Sequence, residues 1–162
     1  MKLTSRSEYA LLALVFLARQ PADGFVRVEE IASAQGIPPK FLEQILLALK
    51  RGHYLASQKG QHGGYRLNQP PDRIILADVI RLLDGPLAPT ESVSKYFYRS
   101  TPIEKEPALV HLFTQIRDCM LHILEGTTLA DIQSPPGEGR PPQEGQPLQD
   151  APAPVDPPDA HP

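Results

Sequence analysis

The sequence predicts a mainly α-helical fold that carries one small two-stranded β-ribbon, or wing. Apolar residues recur at helical spacing within residues 7–20, 28–35, 39–51, 76–83 and 107–125. A glycine-rich segment, residues 58–64, separates two short stretches that alternate like strands. We therefore expect three helices before the ribbon and at least two after it.

Charge and composition divide the chain into segments. Residues 1–132 carry 15 Lys and Arg against 14 Asp and Glu, whereas residues 133–162 carry one Arg against five acidic residues. The second segment contains ten prolines and few apolar residues, so it cannot bury enough surface to offset its chain entropy. We expect a domain over residues 1–86, a loop and long helix over residues 87–132, and a disordered, acidic, proline-rich tail over residues 133–162.

The first two predicted helices lead into a helix-turn-helix. The first, residues 7–20, has an apolar face wide enough for burial on two sides, and Ser7 is its candidate N-cap. Residues 25–27 are a candidate extra strand for the ribbon. The second helix, residues 28–35, ends at Gly36, and a short turn joins it to the third. Two helices joined in this way form a helix-turn-helix.

The third helix has two distinct faces. Its buried stripe is expected to consist of Leu42, Ile45, Leu46 and Leu49. The opposite side carries Lys40, Glu43, Gln44, Leu47, Lys50 and Arg51. Pro39 suits the first helical position and Gly52 suits the C-terminal stop. A polar face of this kind is most often simply solvated, but Gln and Glu can also contact adenine and cytosine in a major groove.

The ribbon that follows favours a nucleic-acid surface. Its strands are expected over residues 53–57 and 65–67, and three glycines near its tip allow positive φ and close backbone approach. Lys59, His62 and Arg66 offer cations or donors for phosphate. From residue 40 to residue 66 there are five basic residues and one acid, a net charge of +4. A nucleotide-binding glycine loop would lead into a helix, whereas this one leads into a strand.

A long helix is expected near the end of the domain. After the fourth helix, residues 76–83, a polar loop spans residues 87–106 and includes the aromatic side chains of residues 96–98. Residues 107–125 then repeat apolar side chains at alternating spacings of three and four. This seam consists of Leu109, Leu112, Ile116, Cys119 and Ile123, flanked by Phe113 and Met120. Such a helix would reach about 28 Å, which favours dimerisation over packing on its own domain.

Five segments in this order resemble one family of regulators: MKLTSRSEYALLALVFLA, IPPKFLEQILLALKRGHYL, SQKGQHGGYRL, ILADVIRLLDGPL and TLADI. Together they span residues 1–132 and are similar to the IscR/NsrR/CymR type of bacterial regulator. The resemblance implies a winged helix-turn-helix with a long C-terminal dimerisation helix. It also implies a DNA-binding transcriptional regulator, often one that senses iron–sulfur status, nitric oxide, redox state or cysteine supply.

We therefore expect a homodimer whose two recognition helices enter successive major grooves of double-stranded DNA, about 34 Å apart on a pseudo-palindrome. In this hypothesis Pro39 starts the recognition helix, and Lys40, Glu43 and Gln44 contact base edges. Lys59, Arg51 and Arg66 mainly neutralise phosphate. The wing comprises Ser57, Lys59, Gly60, His62, Gly63, Gly64 and Tyr65. The expected activity is transcriptional regulation, most simply repression.

No cofactor or metal is expected. Cluster-binding members of this family carry three cysteines in the loop before the long helix, but residues 87–106 contain none. An iron–sulfur cluster held by three cysteines of one chain is therefore excluded. The single cysteine, Cys119, is expected to be a buried small hydrophobe. Two alternatives stay open: a metal held by Cys119 and His122 with His111 or a second chain, and a redox switch through Cys119 pairing across a dimer.

Other classes of function are not supported. The sequence has no Ser/His/Asp set with supporting motifs, no paired metal-ligand run and no phosphate loop in a suitable context, so an enzyme is not expected. No stretch of about 18 apolar residues exists to span a membrane, and a lone cysteine fits a cytoplasmic protein. The alternative to DNA binding is a protein-interaction module that uses the same basic face for an acidic partner.

Overall fold

The computed structural model describes residues 2–133. The helices and strands follow in the order α1 (Ser5–Ala18), α2 (Val28–Gln35), α3 (Pro39–Arg51), β1 (Leu55–Gln58), β2 (Gly64–Leu67), α4 (Leu76–Asp84), α5 (Pro107–Gly126) and α6 (Leu129–Gln133). This order confirms the predicted mainly α-helical fold with one small ribbon. The tail was predicted to be disordered from residue 133, but Gln133 is the last residue of α6. The remainder of that prediction, residues 134–162, lies outside the described residues. Within the described part of the chain, no helix is long and apolar enough to cross a membrane.

Helix α1 lies at the centre and packs against α2, α3, α4 and α6. It begins at Ser5, earlier than predicted, because Thr4 is the N-cap: the Thr4 side chain accepts a hydrogen bond from the Ser7 amide at 3.4 Å. Ser7, the predicted cap, is instead buried inside the helix. Most of the wide apolar face of α1 is therefore covered by its own domain, although Leu12 stays exposed.

Helices α2 and α3 form the helix-turn-helix. Gly36 ends α2 with a φ of 65°, in the left-handed region that glycine adopts without steric cost. Pro39 occupies the first turn of α3, as predicted. The predicted stripe of α3 forms part of the hydrophobic core, and all four of its side chains are 0% exposed: Leu42, Ile45, Leu46 and Leu49. Their burial fixes the rotation of α3 about its axis.

Helix α3 ends at Arg51 with Gly52 as its C-cap, as predicted, but the left-handed residue lies one position later. Gly52 has a φ of −78°, and the residue in the left-handed region is His53, with a φ of 63°. A Cβ on Gly52 would lie 2.6 Å from Leu82 Cδ2, so a larger residue here would require the exposed Leu82 side chain to shift. The turn occupies the residues that were predicted to begin the strand, so β1 starts at Leu55.

Strands β1 and β2 form an antiparallel hairpin in which Leu55 pairs with Leu67 and Gln58 pairs with Gly64. The candidate extra strand at residues 25–27 contributes a single bridge. The Val26 amide donates to the Tyr65 carbonyl at 2.9 Å, and the Tyr65 amide donates to the Val26 carbonyl at 2.8 Å. This bridge fastens the hairpin to the segment that enters α2.

The C-terminal part folds back on the domain. Arg117 on α5 donates to the Val93 carbonyl at 2.6 Å, and Arg81 on α4 forms ion pairs with Asp78 and with Glu125 at the end of α5. The loop over residues 87–106 is accordingly ordered around two short 3-10 helices, Glu91–Val93 and Pro102–Lys105. Helix α6 then returns to α1, where Leu129 is fully buried in the core.

Asp84 fastens the N-terminus to the end of α4. The Thr4 amide donates to its carboxylate at 3.0 Å and the Thr4 hydroxyl donates at 2.5 Å. Partial burial by itself would raise the pKa of Asp84, but the hydrogen bonds from Thr4 outweigh it and the pKa is lowered. The folded state therefore favours the ionised carboxylate.

We predict that Asp84→Asn lowers the free energy of unfolding by about 1 kcal/mol at pH 7, because an amide accepts the two hydrogen bonds less well than a carboxylate does. Since the folded pKa is depressed, this stabilisation is present above the ordinary carboxyl pKa and is lost as the pH falls through the folded value. Urea denaturation at a series of pH values measures the difference. Asp72→Asn, at an exposed carboxylate, is the control, and a difference for Asp84→Asn that did not shrink on acidification would contradict the prediction.

Candidate nucleic-acid interface

The polar face of α3 is available to an external partner. Because the apolar stripe points into the core, Lys40, Glu43, Gln44 and Arg51 point outward, and all four are exposed. None of these four side chains forms a hydrogen bond or an ion pair with another residue in the range 2–133. The cations and the amide of this face therefore keep their donors free for a ligand.

Tyr65 joins the wing to this face. Burial raises the pKa of Tyr65, and the nearby charge of Glu43 raises it further. The interaction with Glu43 indicates that Tyr65, near the start of β2, lies close to the outer face of α3. A phenol is neutral at physiological pH even at its ordinary pKa, so the Tyr65 hydroxyl can both donate and accept a hydrogen bond.

The tip of the wing is a compact turn that exposes basic side chains. Gly60 has a φ of 107°, and the Gly63 amide donates to the Gly60 carbonyl at 3.0 Å. Lys59 and His62 project from this turn and are exposed. Gly60 itself has open space around it, so its role is conformational.

Two further glycines bring backbones together. A Cβ on Gly63 would lie 2.3 Å from the Gln58 carbonyl oxygen, and a Cβ on Gly64 would lie 2.2 Å from the Val26 carbonyl oxygen. Both obstacles are backbone atoms, which cannot rotate away. Gly63 and Gly64, predicted to be part of a DNA-binding wing, are therefore required first for the close packing that builds the wing.

Arg27 also holds the wing, and the sequence analysis missed this residue. Its guanidinium donates to the Gln61 carbonyl at the wing tip. The sequence analysis included Arg27 only in the candidate strand over residues 25–27, and no local motif indicates a contact that crosses 34 positions of the chain. It brings one more basic residue to the wing.

Arg66 differs from the other predicted phosphate-binding residues in the contacts that its side chain makes. Its guanidinium donates to the Ala22 carbonyl at 3.3 Å, lies 3.6 Å from the Asp23 carboxylate and stacks 5.0 Å from the centroid of the Phe25 ring. The predicted role was mainly phosphate neutralisation. The structure gives Arg66 a bracing role between β2 and the loop that follows α1, and its contact with phosphate stays a prediction.

The predicted dimerisation seam lies on the outer side of α5. Four of its apolar side chains are between 40% and 59% exposed: Leu109, Leu112, Ile116 and Ile123. Phe113 and Met120 are half-buried at its edges. The opposite side of α5 packs inward through Leu121, which is buried against α4. The seam is therefore an apolar stripe that the rest of residues 2–133 leaves largely exposed.

Cys119 corrects one expectation. It was expected to be buried as a small hydrophobe, but it is exposed on the same outer side of α5. Other side chains, such as Leu121, occupy the inward positions of this helix. The heptad pattern therefore predicted the position of Cys119 in the seam correctly, but the prediction that Cys119 is buried within one chain was wrong.

The donor set of the chain does not fit a cluster held by three thiolates. The chain has one cysteine, and iron–sulfur clusters require several thiolate or imidazole ligands. Among residues 2–133, no group of three or more His, Cys, Asp or Glu side chains is placed to hold a metal ion. The metal site considered for Cys119, His122 and His111 thus gains no support from the geometry of one chain.

The arrangement defines a class of protein. A helix-turn-helix whose second helix presents a polar, basic face beside a wing is the architecture of DNA-binding transcriptional regulators. The Rrf2 family model, described as an iron-dependent transcriptional regulator, matches residues 3–135. The chain belongs to the Rrf2 family. This confirms the resemblance found in the sequence, and it agrees with the prediction of a regulator and not an enzyme.

Individual relatives agree with this assignment. A Mycobacterium tuberculosis protein named as an HTH-type transcriptional regulator is 39% identical over 133 residues, which cover 82% of this chain and 81% of the relative. The regulator CymR of Bacillus subtilis is 32% identical over 134 residues, with coverages of 83% and 91%. Both relatives are similar to this chain over most of their length.

Solved structures show the same fold. The structure of CymR, the global cysteine regulator of Bacillus subtilis, has a TM-score of 0.71 at 30% identity and covers 82% of this chain and 96% of its own. The IscR of T. potens has a TM-score of 0.62 at 26% identity, with coverages of 81% and 85%. These similarities confirm the winged-helix fold.

We predict that Gly64→Ala destabilises the wing, because the added methyl group would overlap the Val26 carbonyl. The expected loss is about 1–3 kcal/mol in the free energy of unfolding, the range for overpacked sites. Gly126→Ala is the matched control, since its Cβ would meet nothing within 4 Å. Chemical denaturation measures both variants. Equal stability of Gly64→Ala and Gly126→Ala would contradict the close approach of β2 to Val26.

Proposed function

We propose that this protein is a homodimeric transcriptional repressor that binds a pseudo-palindromic operator in double-stranded DNA. The observation that carries the proposal is the outward polar face of α3, whose charged and amide side chains form no hydrogen bond or ion pair within residues 2–133, with Tyr65 of the wing close to Glu43. In this proposal α3 enters the major groove and the wing tip follows the adjacent backbone.

Roles within the interface follow from chemistry. Gln44 can pair with an adenine edge, Glu43 can accept from cytosine N4, and Lys40 can donate to guanine. Lys59 and Arg51, both exposed, are suited to neutralise phosphates, and His62 and Tyr65 can donate to phosphate oxygens. Arg66 and Arg27 support the wing and add positive potential behind it.

Dimerisation would pair the α5 seams of two copies. A stripe of four large apolar side chains, each at least 40% exposed, is costly to leave in water. A two-fold axis applies the same patch to both subunits and presents two recognition helices to one face of the duplex. We propose in addition that regulation does not use a cluster held by three cysteines of one chain, because the chain has a single cysteine.

We predict that Gln44→Ala reduces affinity at particular base pairs by about 1–3 kcal/mol while leaving binding to random DNA nearly unchanged, since a base-edge contact carries sequence information. Fluorescence anisotropy on operator duplexes with single base-pair changes measures the effect. The control is Lys59→Ala, which should weaken binding to all duplexes alike and reduce the slope of log K against log salt by about 0.9. Equal loss on operator and random DNA for Gln44→Ala would contradict its role.

We predict that Ile116→Glu yields a monomer, because a charge at the centre of the seam would be buried without a partner. Sedimentation velocity measures the oligomeric state, and circular dichroism checks that the fold is retained, since Ile116 is exposed on the single chain. His111→Glu is the matched control, as it places the same charge on the same helix roughly 140° away. A dimer that survived Ile116→Glu would show that α5 is not the interface.

A further inference from the structure

Leu47 is an exposed hydrophobic residue on a face that is otherwise polar. Its side chain is 45% exposed, although it belongs to a helix whose apolar residues are otherwise packed in the core. The neighbouring outward residues are charged or carry an amide. None of the roles assigned above uses Leu47.

The rotation of α3 sets the direction in which Leu47 points. At roughly 100° per residue, residues 40, 43, 44 and 47 fall within an arc of about 100°, and residue 47 lies between the directions of Glu43 and Gln44. The buried stripe fixes this orientation, because its four side chains on the opposite side of α3 are all 0% exposed: Leu42, Ile45, Leu46 and Leu49. Leu47 therefore faces the same ligand as the residues that carry hydrogen-bonding groups.

We propose that Leu47 is a specificity-determining residue that packs against the C5 methyl group of a thymine in the major groove. The inference rests on the proposed function, in which α3 enters that groove. Thymine is the base that presents a methyl group there, whereas the other edges present hydrogen-bond donors and acceptors. A leucine side chain has no polar atom with which to satisfy those groups.

Discrimination follows from desolvation as well as from contact. A donor or acceptor on a base edge that is covered by Leu47 would lose water without gaining a partner, which is unfavourable. A thymine methyl in the same place removes apolar surface from water on both sides of the contact. Leu47 therefore favours thymine and disfavours the alternatives at one position of each half-site.

The helix geometry locates this position relative to the polar contacts. Residue 47 lies three to four residues beyond Glu43 and Gln44, about 4.5–6 Å along the helix axis. Successive base pairs are spaced about 3.4 Å apart. The thymine should therefore lie one or two base pairs from the base that Gln44 or Glu43 contacts, on the side towards the C-terminus of α3.

The test uses the full chain and a duplex that the wild-type protein selects from a random library. Each thymine of the selected duplex is replaced singly by deoxyuridine, which removes the methyl group and leaves base pairing intact. For the wild type we expect one thymine per half-site at which the replacement weakens binding about fourfold, the value of one buried methyl group. For Leu47→Ala the replacement at that thymine should have no effect, and Leu47→Met should restore part of it.

Leu12→Ala is the matched control, because Leu12 is an exposed leucine on α1 and should leave the fourfold effect intact. The proposal is overturned if no thymine is sensitive in the wild type, if Leu47→Ala keeps the same sensitivity, or if the selected half-site has no thymine within two base pairs of the Gln44 or Glu43 contact. In each of these cases specific DNA binding stands. If the protein selects no preferred duplex, the proposed function fails and the inference fails with it.

Discussion

The structure depends on the burial of the apolar stripe of α3. Leu42, Ile45, Leu46 and Leu49 are all 0% exposed, and each buried side chain of this size contributes about 1.5–3 kcal/mol. Net stabilities of whole domains are only about 5–15 kcal/mol, so any rotation of α3 that exposed this stripe would be prohibitive. The same constraint sends Lys40, Glu43, Gln44 and Leu47 outward, so one packing requirement decides which side chains α3 offers to an external partner.

The wing depends on the same scaffold. A two-stranded hairpin is marginally stable by itself, and here three contacts hold it in place: the Val26–Tyr65 bridge, the Arg27–Gln61 hydrogen bond and the contacts of Arg66 with the loop after α1. Each of these contacts reaches a segment next to α2. The position of the wing relative to α3 is therefore set by tertiary contacts and not by the hairpin itself.

The sequence predicted what depends on periodicity and missed what depends on distant partners. The stripe of α3 and the seam of α5 were read from spacing, and Gly36 was read from its position after a helix. Gly52 was predicted as the C-terminal stop of α3, which does end at Arg51 with Gly52 as its C-cap, but its closeness to Leu82 was not predicted. Arg66 was predicted only to neutralise phosphate, and its contacts with Ala22 and Asp23, 44 and 43 positions earlier in the chain, were not predicted. Contacts of this kind leave no local pattern.

Exposed leucines and isoleucines occur in two settings here, and the setting decides the inference. On α5 they form a continuous stripe over several turns, from Leu109 to Ile123, which only another extended apolar surface can cover. On α3, Leu47 lies among polar side chains. A large apolar partner there would remove water from the charged groups of Lys40 and Glu43 without offering them hydrogen bonds, which is unfavourable. A small apolar group framed by hydrogen-bonding groups fits that setting, and a thymine methyl between polar base edges is such a group.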